Sequence, residues 1–347
     1  MTRASARRVL VTLAIVLAVA MIVSIGHGPV RLSALEVLAA IGRRLGLDAG
    51  DVSSREVAIV WAIRMPRVLL GALVGAGLAT AGAALQGVVR NPLADPTIVG
   101  VSAGAALGAV AAFVLGASVL RDATIGPWLV PAAAFGGALV TTRIALAMAR
   151  VEGATSGVTI LLAGIGLAAL CGAGIGVLLY LADDAALRSV TFWTLGSIGG
   201  ATWTLVAIAS VPIVVGVVWI PRFASDLDRL SLGDAEARHV GVDVDRTIRR
   251  IVFLVALAVG AAVAACGMIS FVGLVVPFLV RAALGPGHRT LLPASALAGA
   301  LVLVVADLVA RTIVAPTEMP IGILTALVGA PILLYVVRGG RGAQVML

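Results

Sequence analysis

The chain alternates long apolar runs with short polar breaks. Runs near 9–26, 68–89, 97–119, 125–149, 156–182, 202–220, 291–313 and 321–337 approach the roughly 20 apolar residues that a helical crossing of a bilayer needs. One stretch is too long for a single crossing. From Ile251 to Leu284 the chain stays largely apolar, and as one helix it would measure ~51 Å against a hydrocarbon core of ~30 Å. The pattern therefore predicts two spans there, with a break between Gly267 and Ser270. Counting both gives an all-α polytopic membrane protein of ten transmembrane helices with both termini on one side.

Charge supports that parity. Arg3, Arg7 and Arg8 precede the first run, while Arg338 and Arg341 follow the last, so the positive-inside rule places both ends in the cytoplasm. The polar segment 221–250 then also falls inside. Segment 27–63 falls outside and reads as a surface loop with a short helix around Ala34 to Leu45. The N-terminal Arg-then-apolar pattern resembles a signal peptide, but no small-residue cleavage site follows it, and it is expected to stay as the first span. Residues 1–347 read as one transmembrane domain.

Composition removes other classes. Hydrophobic residues make up 61% and charged residues 12%, whereas a soluble globule carries about 25% charged. The net charge of +8 does not read as a nucleic-acid stripe, because aromatics are 4% and the arginines stand at the ends of apolar runs. All 25 basic residues are arginine. A phosphate-binding Walker A loop needs Lys beside Ser or Thr, so nucleotide hydrolysis belongs on another subunit. No cofactor is expected on this chain, with ATP and Mg on that partner. Cys171 and Cys266 each lie inside an apolar run and read as small core residues.

Several local patterns stand out. In R-N-P-L-A-D-P (Arg90 to Pro96) each Pro disfavours helix in the residue before it, so Asn91 and Asp95 stop one helix and stage the next. Gly71, Gly75 and Gly82 in the second span, and Gly164, Gly166, Gly172 and Gly176 in the fifth, predict tight helix bundling. Leu230 to Asp243 is polar, and Gly233 and Gly241 bracket a helix of about two turns; on composition alone it is a solvated loop. Asp307 and Arg311 are four apart and pair along one helix face. Arg64 and Arg67 flank the external start of the second span.

The wording of Arg64 to Ala105, Thr191 to Trp203, Phe271 to Pro277, Gly285 to Pro293 and Ala315 to Pro331 resembles, in order, the permease subunits of ABC importers for iron-siderophores, haem and vitamin B12. That resemblance implies a homodimeric pore in the bacterial inner membrane, working by alternating access. An ATP-binding cassette ATPase would sit below each copy, and a periplasmic or lipid-anchored substrate-binding protein above. It implies ATPase-coupling contacts at Gly233, Asp234, Glu236, Ala237 and Gly241, binding-protein docking at Arg64 and Arg311, and a cytoplasmic gate at Asn91, Leu93, Thr155 and Ser156. As residues alone, the gate positions read as helix caps and turns. Phe278 departs from the pattern, since relatives usually have His there. The Thr191 to Trp203 wording is closest to haem permeases, with ferric siderophore and cobalamin as alternatives.

Two other classes fit less well. An ion-coupled secondary transporter needs acidic or His residues near the bilayer midplane, and Asp307 is the one acidic residue well inside a predicted span. A membrane enzyme needs a nucleophile and base, paired carboxylates or a metal-ligand cluster, and no such set can be placed together.

Overall fold

Backbone surrounded by lipid has to satisfy its own N–H and C=O groups, so apolar runs become helices. In the computed structural model, which describes residues 3–28, 32–47, 52–96, 100–116, 122, 124–151, 154–314 and 317–338, α1 spans Arg3–Gly26, α2 Ala34–Arg44 and α3 Ser54–Ala58. The last runs through a π-helical turn, Ile59–Arg64, into α4, Met65–Val89. Then follow α5 (Val101–Leu115), α6 (Gly126–Met148), α7 (Gly157–Tyr180), α8 (Asp184–Thr194) and α9 (Trp203–Trp219). A 3-10 turn, Ile220–Phe223, joins α9 to α10 (Ala224–Leu230), and α11 is Asp234–His239. The chain ends in α12 (Val244–Cys266), α13 (Val272–Leu284), α14 (His288–Ala310) and α15 (Ile321–Arg338). Among the described residues the strand pairing is a two-residue antiparallel ladder, Arg150–Val151 with Ala154–Thr155.

Among the described residues seven helices are long and apolar enough to cross a membrane, and three apolar helices are shorter: Val101–Leu115, Val272–Leu284 and Ile321–Tyr335. The expectation of ten crossings therefore rests on those three as well. The ends of the predicted run 97–119 lie outside the described residues. The break expected near Gly267 to Ser270 is where α12 stops and α13 starts. Gly267 has φ +71 there, and a Cβ would collide with the Trp193 carbonyl. Backbone bonds then stitch three segments together: Ser197 N–H donates to Cys266 O at 2.8 Å, Ile321 N–H to Gly196 O at 3.1 Å and Gly322 N–H to Leu195 O at 3.1 Å. Irregular backbone is tolerated at such a place because protein, not lipid, supplies its partners.

Two elements differ from the sequence expectation. First, in segment 27–63 the short helix expected around Ala34 to Leu45 is present as α2, but a further helix, α3, follows it; each starts with a capping box, Ser33 with Glu36 and Ser53 with Glu56. The helix of the second span consequently begins at Ser54 rather than near residue 68. Second, α8 was not anticipated; Asp183 caps it by accepting from Ala186 N–H at 2.7 Å.

The centre of the bundle is α4. It lies antiparallel to α14, with Gly87 beside His288 at one end, Gly75 against Gly299 midway and Arg67 paired with Asp307 at the other. A Cβ on Gly75 would strike the Gly299 carbonyl, and one on Gly82 the Gly273 carbonyl of α13, so both glycines are required for the approach. Tight bundling thus holds for the second span and fails for part of the fifth. Among the described residues Gly166, Gly172 and Gly176 of α7 meet nothing within 4 Å, because no other described element covers that face.

Candidate functional site

At one end of the bundle, α10 and α11 form a polar layer under the last turn of α4. Gly233 opens α11 at φ +128, and any Cβ there would collide with the Glu236 carboxylate. Ala237 is fully buried, packed with Leu227, Leu230, Val242 and Val244 in the core. Ala237, expected as a contact residue, faces inward within this chain and packs α11 on the core. The outward face carries Glu236, Gly241 and two apolar side chains the sequence reading missed, Leu232 at 71% and Val240 at 57% exposure. Their exposure is a tertiary property that the sequence pattern does not carry.

Asp234 turns out to be shared between sites. Its carboxylate pairs with Arg90 at 3.1 Å. Arg90 caps α4 in the left-handed conformation at φ 53, unusual for a residue with a side chain. The turn that follows is closed by Asn91 Oδ1, which accepts from Leu93 N–H at 2.9 Å. Opposite it, Ser156 caps α7 by accepting from Thr159 N–H at 3.5 Å, and Thr155 pairs with Arg150 in the short ladder. A Cβ on Gly157 would sit 2.6 Å from Val88 O, so the start of α7 packs on the last turn of α4. The four gate candidates and the α11 layer therefore converge on the C-terminus of α4.

The other end is arginine-rich and organised around the last turn of α1. Arg64 is 5% exposed, and its Nη1 donates to Ile25 O at 2.7 Å and Gly26 O at 3.0 Å. Arg311 donates to His27 O at 2.7 Å and to Ser24 Oγ at 2.7 Å, and also to Ser24 O. Both guanidinium groups thus satisfy the orphan carbonyls at a helix C-terminus, where the dipole favours cations. The structure does bring Arg64 and Arg311 together, but around α1 rather than toward solvent. This is the helix-bridging role open to any arginine in a bundle.

Asp307 pairs chiefly with Arg67 and only distantly with Arg311. Arg67 reaches it at 2.9 Å, whereas Arg311 Nε stands 3.6 Å away. Arg67 also holds Glu318 at 2.8 Å, and that hydrogen bond keeps the Glu318 carboxyl below its ordinary range. Spacing of four residues pointed to the weaker partner, because the stronger one is 240 positions away in sequence. Exposed arginines at this end include Arg43, Arg44 and Arg55, with Arg44 lying 5.7 Å over the Trp61 ring. Phe278 is buried in α13. Cys171 and Cys266 are free and buried, and among the described residues no three His, Cys, Asp or Glu side chains gather as a metal site.

A helical membrane bundle with a polar layer docked on one end of its central helix has the build of a transport subunit. The sequence profile of the FecCD transport family matches residues 16–339, and the chain belongs to that family. Its relatives include the hemin transport system permease protein HmuU of Yersinia pestis, 44% identical over 80% of this chain and 83% of that one. The cobalamin import system permease protein BtuC of Halobacterium salinarum is 46% identical over 81% and 73%, and the vitamin B12 permease BtuC of Vibrio cholerae 42% identical over 82% and 83%. Among solved structures, an ABC transporter of the metal-chelate type in an inward-facing conformation superposes with a TM-score of 0.81 at 29% identity, covering 96% of this chain and 99% of that one.

Proposed function

We propose that the chain is the pore subunit of an ATP-driven importer, working as a homodimer with a separate ATPase docked on the α11 end and a substrate-binding protein on the arginine-rich end. The observation that carries this reading is the convergence of α11, the Arg90–Pro96 turn and the start of α7 on the C-terminus of α4. A push on α11 has a direct route to the passage there. On this reading both termini are cytoplasmic in a bacterial inner membrane. Gly166, Gly172 and Gly176 on the uncovered face of α7 line the passage or meet the second copy. At the outer end Arg64 and Arg311 fix α1, and the exposed Arg43, Arg44 and Arg55 are the groups placed to meet carboxylates of a binding protein.

The cargo we propose is haem, on the wording of Thr191 to Trp203, with cobalamin or a ferric siderophore as alternatives; identities of 44% and 46% to a hemin and a cobalamin permease do not choose between them. An ion-coupled mechanism is disfavoured because Asp307 is already held by Arg67. The test is reconstitution in proteoliposomes with an ATP-binding cassette ATPase and a substrate-binding protein from the same source, measuring uptake of haem, cobalamin and a ferric siderophore with and without ATP. Uptake that needs ATP and the ATPase is expected, with haem preferred, and the purified chain alone should hydrolyse no ATP. Uptake driven by a proton or sodium gradient without ATP would overturn the importer reading.

A further inference from the structure

Three helices meet at one buried imidazole. His288, the first residue of α14, is 2% exposed. Asp228 of α10 accepts from the His288 backbone N–H at 2.8 Å and from its ring Nδ1–H at 2.7 Å, all on one carboxylate oxygen. The other edge of the ring lies against α4: a Cβ on Gly87 would stand 2.5 Å from Nε2 and 3.2 Å from Cε1. Leu227, next to Asp228, closes on the same glycine at 3.0 Å. Gln86 donates to Leu274 O of α13 at 3.2 Å and accepts from Arg281 at 3.4 Å, so this turn of α4 is also tied to α13. Three residues beyond Gly87 comes Arg90, paired with Asp234.

Two routes therefore run from the α10–α11 layer to the end of α4, and their strengths differ. The Arg90–Asp234 pair is partly exposed, with side chains at 36% and 27%, and pairs of that kind are worth about 0–1 kcal/mol. It can set register but transmits little force. The Asp228 side chain is itself 39% exposed, but the His288 ring it holds is 2% exposed and packed against the α4 backbone, and packed interiors have low compressibility, so displacement of the ring is passed to α4. We propose that Asp228 and His288 are a positioning pair that carries movement of α10 and α11 into the last turn of α4, and so into the Arg90–Pro96 turn. This rests on the importer reading above and names the joint that reading requires.

The test uses the full complex with its ATPase and binding protein in proteoliposomes, and reads substrate imported per ATP hydrolysed. His288→Asn keeps an N–H donor for Asp228 but no longer reaches Gly87. Gly87→Ala pushes a methyl into the ring. Each single variant is expected to keep complex recovery and ATP turnover while import per ATP falls ~10-fold, within the usual range of coupling energies. In the double variant the methyl fills the space the ring left, and the ratio should recover at least half of the loss. A purely structural role would lower recovery, ATP turnover and import together and show no such rescue.

Unchanged import per ATP in His288→Asn, or a double variant no better than either single, would overturn the joint. Should His288→Asn not assemble, Asp228→Ala, which removes the one oxygen that both His288 bonds use, is judged by the same ratio. Wild-type complex that shows no ATP-driven import of any substrate would instead refute the importer reading, so the two failures are distinguishable.

Discussion

Helices α4 and α7 have nearly the same length and a similar supply of glycine, yet they are used in opposite ways. In the Ser54–Val89 helix 78% of the apolar window is buried, whereas in Gly157–Tyr180 the share is 28%. The glycines of α4 are closed against backbone, Gly75 on Gly299 and Gly82 on Gly273, while three in α7 touch nothing among the described residues. Lipid gives helices no hydrophobic reason to associate, so small residues create contact only where a complementary surface faces them. On α4 that surface comes from α13 and α14 of the same chain. On α7 it is absent among the described residues, which is why the uncovered face is the one assigned to the passage or to a second copy.

The strongest way to break this comparison is at the polar clamp that closes α4 on α14. Asp307→Asn leaves Arg67 buried without its main countercharge, and removing one partner of a buried pair costs about 3–5 kcal/mol. A melt of the purified protein in detergent should show it, and a change within error would mean that α4 is not locked at this end. Next come the glycines themselves. Gly75→Ala and Gly82→Ala drive a methyl into a carbonyl of the neighbouring helix and should each cost about 1–3 kcal/mol. By contrast, Gly166→Ala, Gly172→Ala and Gly176→Ala have open space and should leave melting unchanged or raise it, since alanine favours helix by up to about 1 kcal/mol. Equal losses in both sets would erase the distinction.

The smallest effect is a pH dependence at Glu318. Its folded-state pKa is lowered, first by the hydrogen bond from Arg67, so its contribution is present above the unfolded carboxylate value of about 4.3 and is lost as pH falls through the folded value. With the side chain 48% exposed, the contribution is about 0–1 kcal/mol. Wild type and Glu318→Gln should therefore differ slightly at pH 7 and converge in acid. A difference that grows as pH falls would assign the wrong sign to the pair.

Periodicity and punctuation made much of the fold readable. The apolar runs became helices, the Gly267 to Ser270 break appeared where one helix would have been too long, and Gly233 and Gly241 do bracket α11. What escaped was helix without a long apolar run. The capping box at Ser53 and the Asp183 cap were both present as local signals. They were passed over because the surrounding residues are mixed in polarity. At the site, resemblance proposes a coupling role for one segment and a gate role for another, while the Arg90–Asp234 pair that joins the two segments is visible only in the structure.

The sequence by itself determined that this chain lives in a membrane, because 61% hydrophobic residues in helix-length runs leave no other solvent for it. It also determined that this chain carries no standard Walker A loop, because the lysine such a loop needs is missing. Tertiary structure alone decided which arginine holds Asp307, that Arg64 and Arg311 turn inward onto α1, and that Ala237 faces inward within this chain. The reason is physical. Hydrophobicity and helix punctuation act over a few residues and are written locally, whereas a buried charge takes whichever partner the packing brings within reach, here across 240 positions of chain.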